Sequence, residues 1–216
     1  MRAAALGGGT VTIAVALAPP LATAAEHLFF AHMVQHLLLV VVAAPLLTLS
    51  GVLAPAWKSP LLRNLTRPAT AWLAFVGCFL FWHWPIAFQW AANSEPTRLL
   101  EFASLLLASL PFWNVALSPT GPNDLGYGAR ALYVMAAAVV TDLPGVIMVF
   151  SPQMICMMPR ENAAQYGLTP LQDQELAGLT MWVPANLVFF AIATWLFVLW
   201  MRDPNEDPRA SIQRTW

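Results

Sequence analysis

Two histidines four residues apart, His32 and His36, begin a stretch in which no other ionisable side chain occurs before Lys58. Residues four apart are neighbours on one face of a helix. Ionisable groups inside a membrane segment are costly, so they usually face the protein interior and serve a function there. Because imidazole is a common metal ligand, the spacing predicts that the two histidines act together in binding a metal ion.

Two further side chains are expected at a similar depth on other helices. With a helical rise of ~1.5 Å per residue, His36 lies ~14 Å and His83 ~15 Å from the expected outer ends of their helices, and Met181 lies about two turns in. Thioether sulfur selects Cu(I), and imidazole accepts copper in either oxidation state. The predicted metal is therefore copper, as Cu(I), and the predicted ligands are His32, His36, His83 and Met181.

The segment SPQMICMMP adds Met154, Cys156, Met157 and Met158 in a connecting loop. A methionine-rich cluster beside a membrane histidine site resembles an entry region for Cu(I) from the periplasm. Packing at the membrane interface is the alternative for the methionines, and Cys156 is an additional candidate ligand. The sequence leaves these alternatives open.

Structural roles compete with ligand roles at three other positions. His27 is interpreted as a hydrogen-bonding residue. His83 precedes Trp84-Pro85, and because proline frees a backbone carbonyl, this histidine is either a ligand or a cap on a carbonyl. Asp142 precedes Leu143-Pro144-Gly145, so it either braces a broken helix or orients a ligand histidine. Both pairs of alternatives stay open.

The composition is that of an integral membrane protein. Of the 216 residues, 59% are hydrophobic and only 10% are charged, whereas a soluble domain carries about 25% charged residues. The net charge of −1 offers no basic face for nucleic acid, and the two cysteines do not form a disulfide framework. Because the motifs of common soluble enzymes are missing, no enzymatic activity is expected.

Apolar runs of about 20 residues, long enough to cross the bilayer, predict an all-α bundle of about six transmembrane helices. Residues 1–25 form a signal-like or signal-anchor segment; its cleavage would leave five helices. Residues 26–201 are the bundle, and residues 202–216 are a cytoplasmic tail. The runs are residues 5–25, 28–50, 69–92, 98–118, 128–150 and 174–201.

Loop charges and a capping signal give the topology. Lys58, Arg63 and Arg67 lie between the second and third runs without an acid among them, which places that loop and both termini in the cytoplasm. The loop before the last run then lies outside. There, Thr169 is the expected N-cap and Gln172 its capping-box partner at the start of the last helix.

Three segments together resemble a known family. They are HMVQHLLLVVVAAPLL from His32, HWP from His83, and LTPLQDQELAGLTMWVP from Leu168. In this order they are similar to the CtaG family of cytochrome c oxidase assembly factors, the multi-span kind linked to caa3-type oxidases. The similarity runs from about Glu26 to Trp200.

The resemblance implies a bacterial inner-membrane protein that helps copper reach the copper B centre of a haem-copper oxidase. The implied partners are subunit I of that oxidase, a periplasmic copper donor and the lipid bilayer, and a homo-oligomer is left open. The chain departs from the family at the start of the fourth run, where Arg98 and Glu101 stand in place of histidines. Any ligand from that helix is therefore in doubt. The family motif DQxxAGxxMW falls on Asp173, Gln174, Ala177, Gly178, Met181 and Trp182.

The last motif also has a structural interpretation. Asp173 and Gln174 complement the helix dipole at its N-terminus, and Ala177 and Gly178 allow close approach of a neighbouring helix. In this interpretation the segment provides packing and capping. Met181 alone remains a ligand candidate.

Three other functions compete with the copper assembly factor. A haem b electron-transfer protein would use His36 and His83 as axial ligands. A copper transporter would need soft ligands in the inner half of the membrane, where only Cys78 and Met135 are available. A structural scaffold for a nascent oxidase subunit would use its histidines only for hydrogen bonding.

Overall fold

The structure is a computed structural model that describes residues 1–57, 59–118, 125–156, 158 and 162–203. Every regular element among these residues is helical, which confirms the all-α prediction. Short turns of helix occur at Ala54–Trp57, Pro60–Arg63, Asn64–Thr66 and Ala163–Tyr166. The main helices are α1 (Arg2–Leu17), α2 (Leu21–Ala25), α3 (Phe29–Ser50), α4 (Pro68–Trp82), α5 (Pro85–Asn93), α6 (Glu95–Leu117), α7 (Tyr127–Phe150) and α8 (Pro170–Arg202).

Four of these helices, α3, α6, α7 and α8, are long and apolar enough to cross a membrane. The pair α4 and α5 adds a fifth span if the two are counted together. The predicted number was about six, and the difference lies at the N-terminus. There α1 has only 16 residues, fewer than the ~20 that a spanning helix needs, and it packs on the second half of α3.

The third apolar run is broken, contrary to the prediction of one helix over residues 69–92. Helix α4 ends at Trp82, α5 begins at Pro85, and the two are bent by 71°. Trp84 adopts an extended conformation, as is usual for a residue that precedes proline. His83 therefore lies at the end of α4, and its depth cannot be counted along a straight helix from Asn93.

Helix α3 contains a π-helical segment, Leu38–Ala43, directly after His36. Such segments are rare and often occur at functional sites. Trp113 on α6 donates its indole N–H to the carbonyl of Val40, at 2.7 Å. This bond fixes the position of the π segment against α6.

Helices α7 and α8 pack very closely along each other. A Cβ atom added at Gly178 would lie 2.7 Å from the carbonyl oxygen of Gly145, so neither helix leaves room for a side chain there. This confirms close approach at Gly178. The predicted capping box at the start of α8 is also present, with the Thr169 side chain accepting from the Gln172 N–H.

Aromatic rings from four helices form the centre of the bundle. The ring of Phe112 lies 4.4 Å from that of Phe75 and 4.9 Å from that of Tyr133, and the rings of Trp113 and Phe189 are 5.2 Å apart. These contacts join α4, α6, α7 and α8. Two of these rings, Phe75 and Phe189, also line the pocket that His36 and His83 border, and aromatic side chains bury large areas in specific geometries.

Candidate metal site

His32 and His36 lie on one face of α3, as their spacing predicts. Their ring centroids are 4.5 Å apart. Both side chains are buried, with exposed fractions of 1% and 3%. Both also contact the ring of Phe102 on α6, so the pair faces the interior of the bundle and not lipid.

Glu101 on α6 completes this cluster, although the sequence analysis treated its helix as a doubtful source of ligands. Its carboxylate is fully buried. One oxygen lies 3.2 Å from Nε2 of His32, and the other lies 3.3 Å from Nε2 of His36. The three side chains can offer one ligand atom each, all within 4.8 Å of one another.

The polar atoms of this cluster lack hydrogen bonds among the described residues. Both carboxylate oxygens of Glu101 and all four ring nitrogens of His32 and His36 are buried without a partner of acceptable geometry. Each unsatisfied buried polar group costs about 1–3 kcal/mol, and a charged group costs more. A single cation among these atoms would satisfy several of them at once.

His83 is adjacent to the cluster and has a defined orientation. Its Nδ1 lies 2.7 Å from the carbonyl oxygen of Phe79, one turn earlier on α4. The rings of His83 and Phe79 stack, with centroids 4.0 Å apart. Because a carbonyl can only accept, Nδ1 carries the proton and Nε2 keeps its lone pair. His83 thus caps a carbonyl and still offers Nε2, which has no partner in the described part of the chain.

A small, partly open cavity of about 30 Å³ lies beside these residues. His36, His83 and Met181 are among its lining, and the ring centroids of His36 and His83 are 5.4 Å apart. This volume exceeds the ~10–15 Å³ that is needed to hold one water molecule. The cavity is therefore large enough for a metal ion and too small for a porphyrin.

The model of the family described as cytochrome c oxidase caa3 assembly factor (Caa3_CtaG) matches residues 1–203. The chain belongs to this family. Comparison with curated proteins and comparison with solved structures each gave no match. The resemblance stated from the three sequence segments is confirmed, and so is the assembly-factor role that goes with the family.

In this Caa3_CtaG protein, Asp173 holds the histidine helix in place. Its two carboxylate oxygens accept hydrogen bonds from the backbone N–H groups of Phe29 and Phe30, at 2.7 and 3.0 Å. These N–H groups begin α3 and have no partner within their own helix. Asp173 lies in the first turn of α8, as the dipole interpretation requires. Its hydrogen bonds in addition cap α3, the helix that carries His32 and His36.

Gln174 makes a second long-range connection from α8. Its side-chain oxygen accepts from the backbone N–H groups of Ile155 and Cys156, at 2.6 and 3.3 Å. Its NH₂ group donates to the carbonyls of Met148 and Gln153. The side chain therefore ties the loop after α7 to the start of α8, which is a different role from the expected dipole interaction.

The soft residues of this loop are partly placed by the structure. Cys156 and Met158 are buried, with exposed fractions of 2% and 7%, and Met154 is half-buried. Burial raises the pKa of the Cys156 thiol to about 11, so the thiol is protonated at neutral pH. The predicted entry residue Met157 lies outside the described residues.

Asp142 and Trp182 are found in contacts between α7 and α8. Asn186 donates a hydrogen bond of 2.7 Å to the carboxylate of Asp142. The ring of Trp182 lies 6.2 Å from that of Phe150. The break expected after Asp142 is absent, because α7 continues through Pro144 to Phe150; the carboxylate instead joins α7 to α8.

Glu101 is a candidate site residue that the sequence motifs did not indicate. It is the only acidic residue between Arg98 and Ser118, and an acid within an apolar run is itself a signal of function. From the sequence, Glu101 is only a replacement for an expected histidine. The geometry makes it a candidate ligand from that helix, with oxygen in place of nitrogen.

Proposed function

We propose that this protein binds copper at His32, His36, Glu101 and His83 and assists its delivery to the copper B centre of a haem-copper cytochrome c oxidase. The copper is cargo that must be released, not a permanent cofactor. The protein performs no catalytic turnover in this proposal. The proposed client is subunit I of the oxidase, and a periplasmic protein supplies the metal.

One observation supports metal binding above all others. The carboxylate of Glu101 lies between the imidazoles of His32 and His36, and the facing atoms, 3.2 and 3.3 Å apart, make no hydrogen bond. A buried pair is stable only with good geometry and satisfied polar atoms. A bound cation supplies that satisfaction.

Copper is proposed on the basis of both the donor atoms and the family. Imidazole binds zinc, copper, iron and nickel, so nitrogen donors alone do not select a metal. The chain belongs to a family of cytochrome c oxidase assembly factors, and the copper centres of such oxidases need a metal supply. Met181, which lines the adjacent cavity, adds a thioether that favours Cu(I).

The site lies close to one end of the bundle. Along their helices, His32 is about 5 Å from the first residue of α3, and Glu101 is about 9 Å from the first residue of α6. The loop with Met154, Cys156 and Met158 lies at the same end, because Asp173 joins the start of α8 to the start of α3. We propose that this end faces the periplasm, in the bacterial inner membrane with both termini cytoplasmic, and that the loop admits the metal.

The haem b alternative is not favoured by this geometry. His36 and His83 are the two histidines that could ligate a haem from opposite faces. Their ring centroids are 5.4 Å apart, and the cavity that they line holds only about 30 Å³. A haem would require the helices to separate. Absorbance of the purified protein is a direct check, since a Soret band with split alpha bands would support haem.

The experiment that separates a copper-delivery factor from a scaffold uses cells that depend on this protein for oxidase assembly. The His32→Ala, His36→Ala double variant is compared with wild type for oxidase activity and for the amount of subunit I in the membrane. We expect subunit I to be present while the copper B content and oxidase activity fall to the level of a deletion strain. The matched control is His27→Ala, because His27 lies outside the cluster.

Normal oxidase activity in the double variant, with the protein present at the wild-type level, would contradict copper delivery through this site. Loss of subunit I itself, with no change in the copper content of the purified assembly factor, would instead support the scaffold. Membrane abundance of each variant is measured by immunoblot, so that failure to fold is not mistaken for failure to bind.

A further inference from the structure

His36 is a member of two groups of side chains with different chemistry. On one side, its Nε2 faces a carboxylate oxygen of Glu101, and its ring contacts that of His32. On the other, His36 lines the small cavity together with His83. Neither His32 nor Glu101 is among the described residues that line the cavity.

The cavity has a second methionine that the sequence analysis did not consider. Met33 on α3 and Met181 on α8 both line it, and their exposed fractions are 1% and 8%. The nitrogen and sulfur donors around this volume are thus two thioethers and two imidazoles; the Thr141 hydroxyl, which also lines it, donates to the carbonyl of Ala137. The first group, in contrast, has two imidazoles and a carboxylate, and no sulfur.

These donor sets prefer different oxidation states. Thioether sulfur is a soft ligand that selects Cu(I), whereas carboxylate oxygen is hard and suits divalent ions. His83 supports ligand binding on the cavity side independently, because its Nε2 is buried without a partner while its Nδ1 is held by Phe79. A cavity of about 30 Å³ has room for one ion.

We propose that the protein has two adjacent copper positions that share His36. The position of His32, His36 and Glu101 takes Cu(II), and the position of His36, His83, Met33 and Met181 takes Cu(I). This inference rests on the proposed function, because it assumes that copper is the metal. The inference goes beyond the proposed function because it assigns separate ligands to Cu(I) and Cu(II).

Sharing of His36 makes the two positions mutually exclusive. A neutral imidazole carries one proton and offers one lone pair. Nε2 faces Glu101, so its lone pair belongs to that position when Nδ1 is protonated. In this proposal, Nδ1 is the nitrogen left for the cavity position when Nε2 is protonated. Nδ1 is buried and has no hydrogen-bond partner among the described residues, so it is free to take either form. The chain is therefore expected to bind one copper ion in either oxidation state.

The test measures both affinities on the purified full-length protein by competition with chelators, using Cu(I) under anaerobic conditions and Cu(II) in air. The variants are Met33→Leu with Met181→Leu, and Glu101→Gln; each keeps the volume of the side chain. We expect the methionine variant to lose at least about tenfold in Cu(I) affinity and to keep its Cu(II) affinity. Glu101→Gln should lose Cu(II) affinity and keep its Cu(I) affinity. The size of the effect follows because loss even of a residue that only supports a metal ligand lowers metal affinity about 10–100-fold. Met148→Leu is the matched control, because Met148 is buried but does not line the cavity.

X-ray absorption of the copper-loaded protein gives a readout that a purely structural role would not change. Sulfur scattering is expected for bound Cu(I), absent for bound Cu(II), and lost from Cu(I) in the double methionine variant. If both variants lower the affinities for Cu(I) and Cu(II) equally, or if sulfur is found at the Cu(II) ion, the proposal of two positions is overturned while copper binding stands. A wild-type protein that binds neither ion overturns the proposed function, and this inference with it.

Discussion

The carboxylate of Asp173, near the start of α8, accepts a hydrogen bond of 2.7 Å from the backbone N–H of Phe29, 144 residues earlier in the chain. Phe29 is the first residue of α3, and His32 follows within one turn. The last helix of the bundle thereby fixes the position of the helix that carries two of the proposed ligands, His32 and His36. Asp173 is a positioning residue, because it acts on the cluster through the helix and not by contact.

Replacement of Asp173 by alanine is expected to lower stability and copper occupancy together. Loss of a side chain that caps a helix costs about 0.5–2 kcal/mol, and the two N–H groups of Phe29 and Phe30 would be left without their acceptor. Thermal unfolding and copper content of the detergent-purified protein measure the two effects. Asp173→Asn, which retains one acceptor oxygen, should recover part of both. Glu175→Gln, two residues along the same helix, is the control.

Gly178→Ala is expected to destabilise the bundle. The new methyl group would lie 2.7 Å from the carbonyl oxygen of Gly145 and 2.9 Å from a side-chain carbon of Val149, so α7 and α8 would have to separate. Overpacking of this kind costs about 1–3 kcal/mol. Gly77→Ala is the matched control, because nothing lies within 4 Å of its added Cβ. A denaturation series in which the two variants unfold alike would contradict the close contact.

Cys156 is expected to react slowly with alkylating reagents at neutral pH. With a pKa of about 11, about one thiol in a thousand is ionised at pH 8, against about a quarter for an ordinary cysteine of pKa ~8.5. The rate should therefore rise about tenfold per pH unit from pH 7 to pH 10. Mass spectrometry of the Cys78→Ser variant treated with iodoacetamide measures it. A rate that levels off near pH 8.5 would show that the thiol is not buried as described.

Much of the fold could be predicted from the sequence because lipid imposes simple rules. Apolar runs of sufficient length gave α3, α6, α7 and α8, and the Thr169 capping box gave the start of α8 within the residues described. The break at Trp84 was missed because a proline is often tolerated inside a membrane helix. The weak apolar segment at the N-terminus proved too short to count with the long spans.

The site was only partly predictable. The four-residue spacing placed His32 and His36 on one face of α3. His83 lies buried beside His36, as its similar predicted depth in the membrane suggested. That depth was counted along one straight helix, however, whereas the chain bends between α4 and α5. The contribution of Glu101 depends on which face of α6 meets α3, and no local pattern in the sequence determines that contact. The same is true of Asp173, whose partners lie in a distant helix.

Copper content of the purified protein tests the central claim most directly. Wild type and the Glu101→Gln and His32→Ala, His36→Ala variants are isolated from copper-supplied membranes, and metal per chain is determined by elemental analysis beside the His27→Ala control. We predict about one copper per chain in wild type and in the control, less in Glu101→Gln, which loses one proposed ligand, and nearly none in the double histidine variant, which loses two, including the shared His36. Equal copper in all four proteins, or none in wild type, would contradict a copper site at these residues.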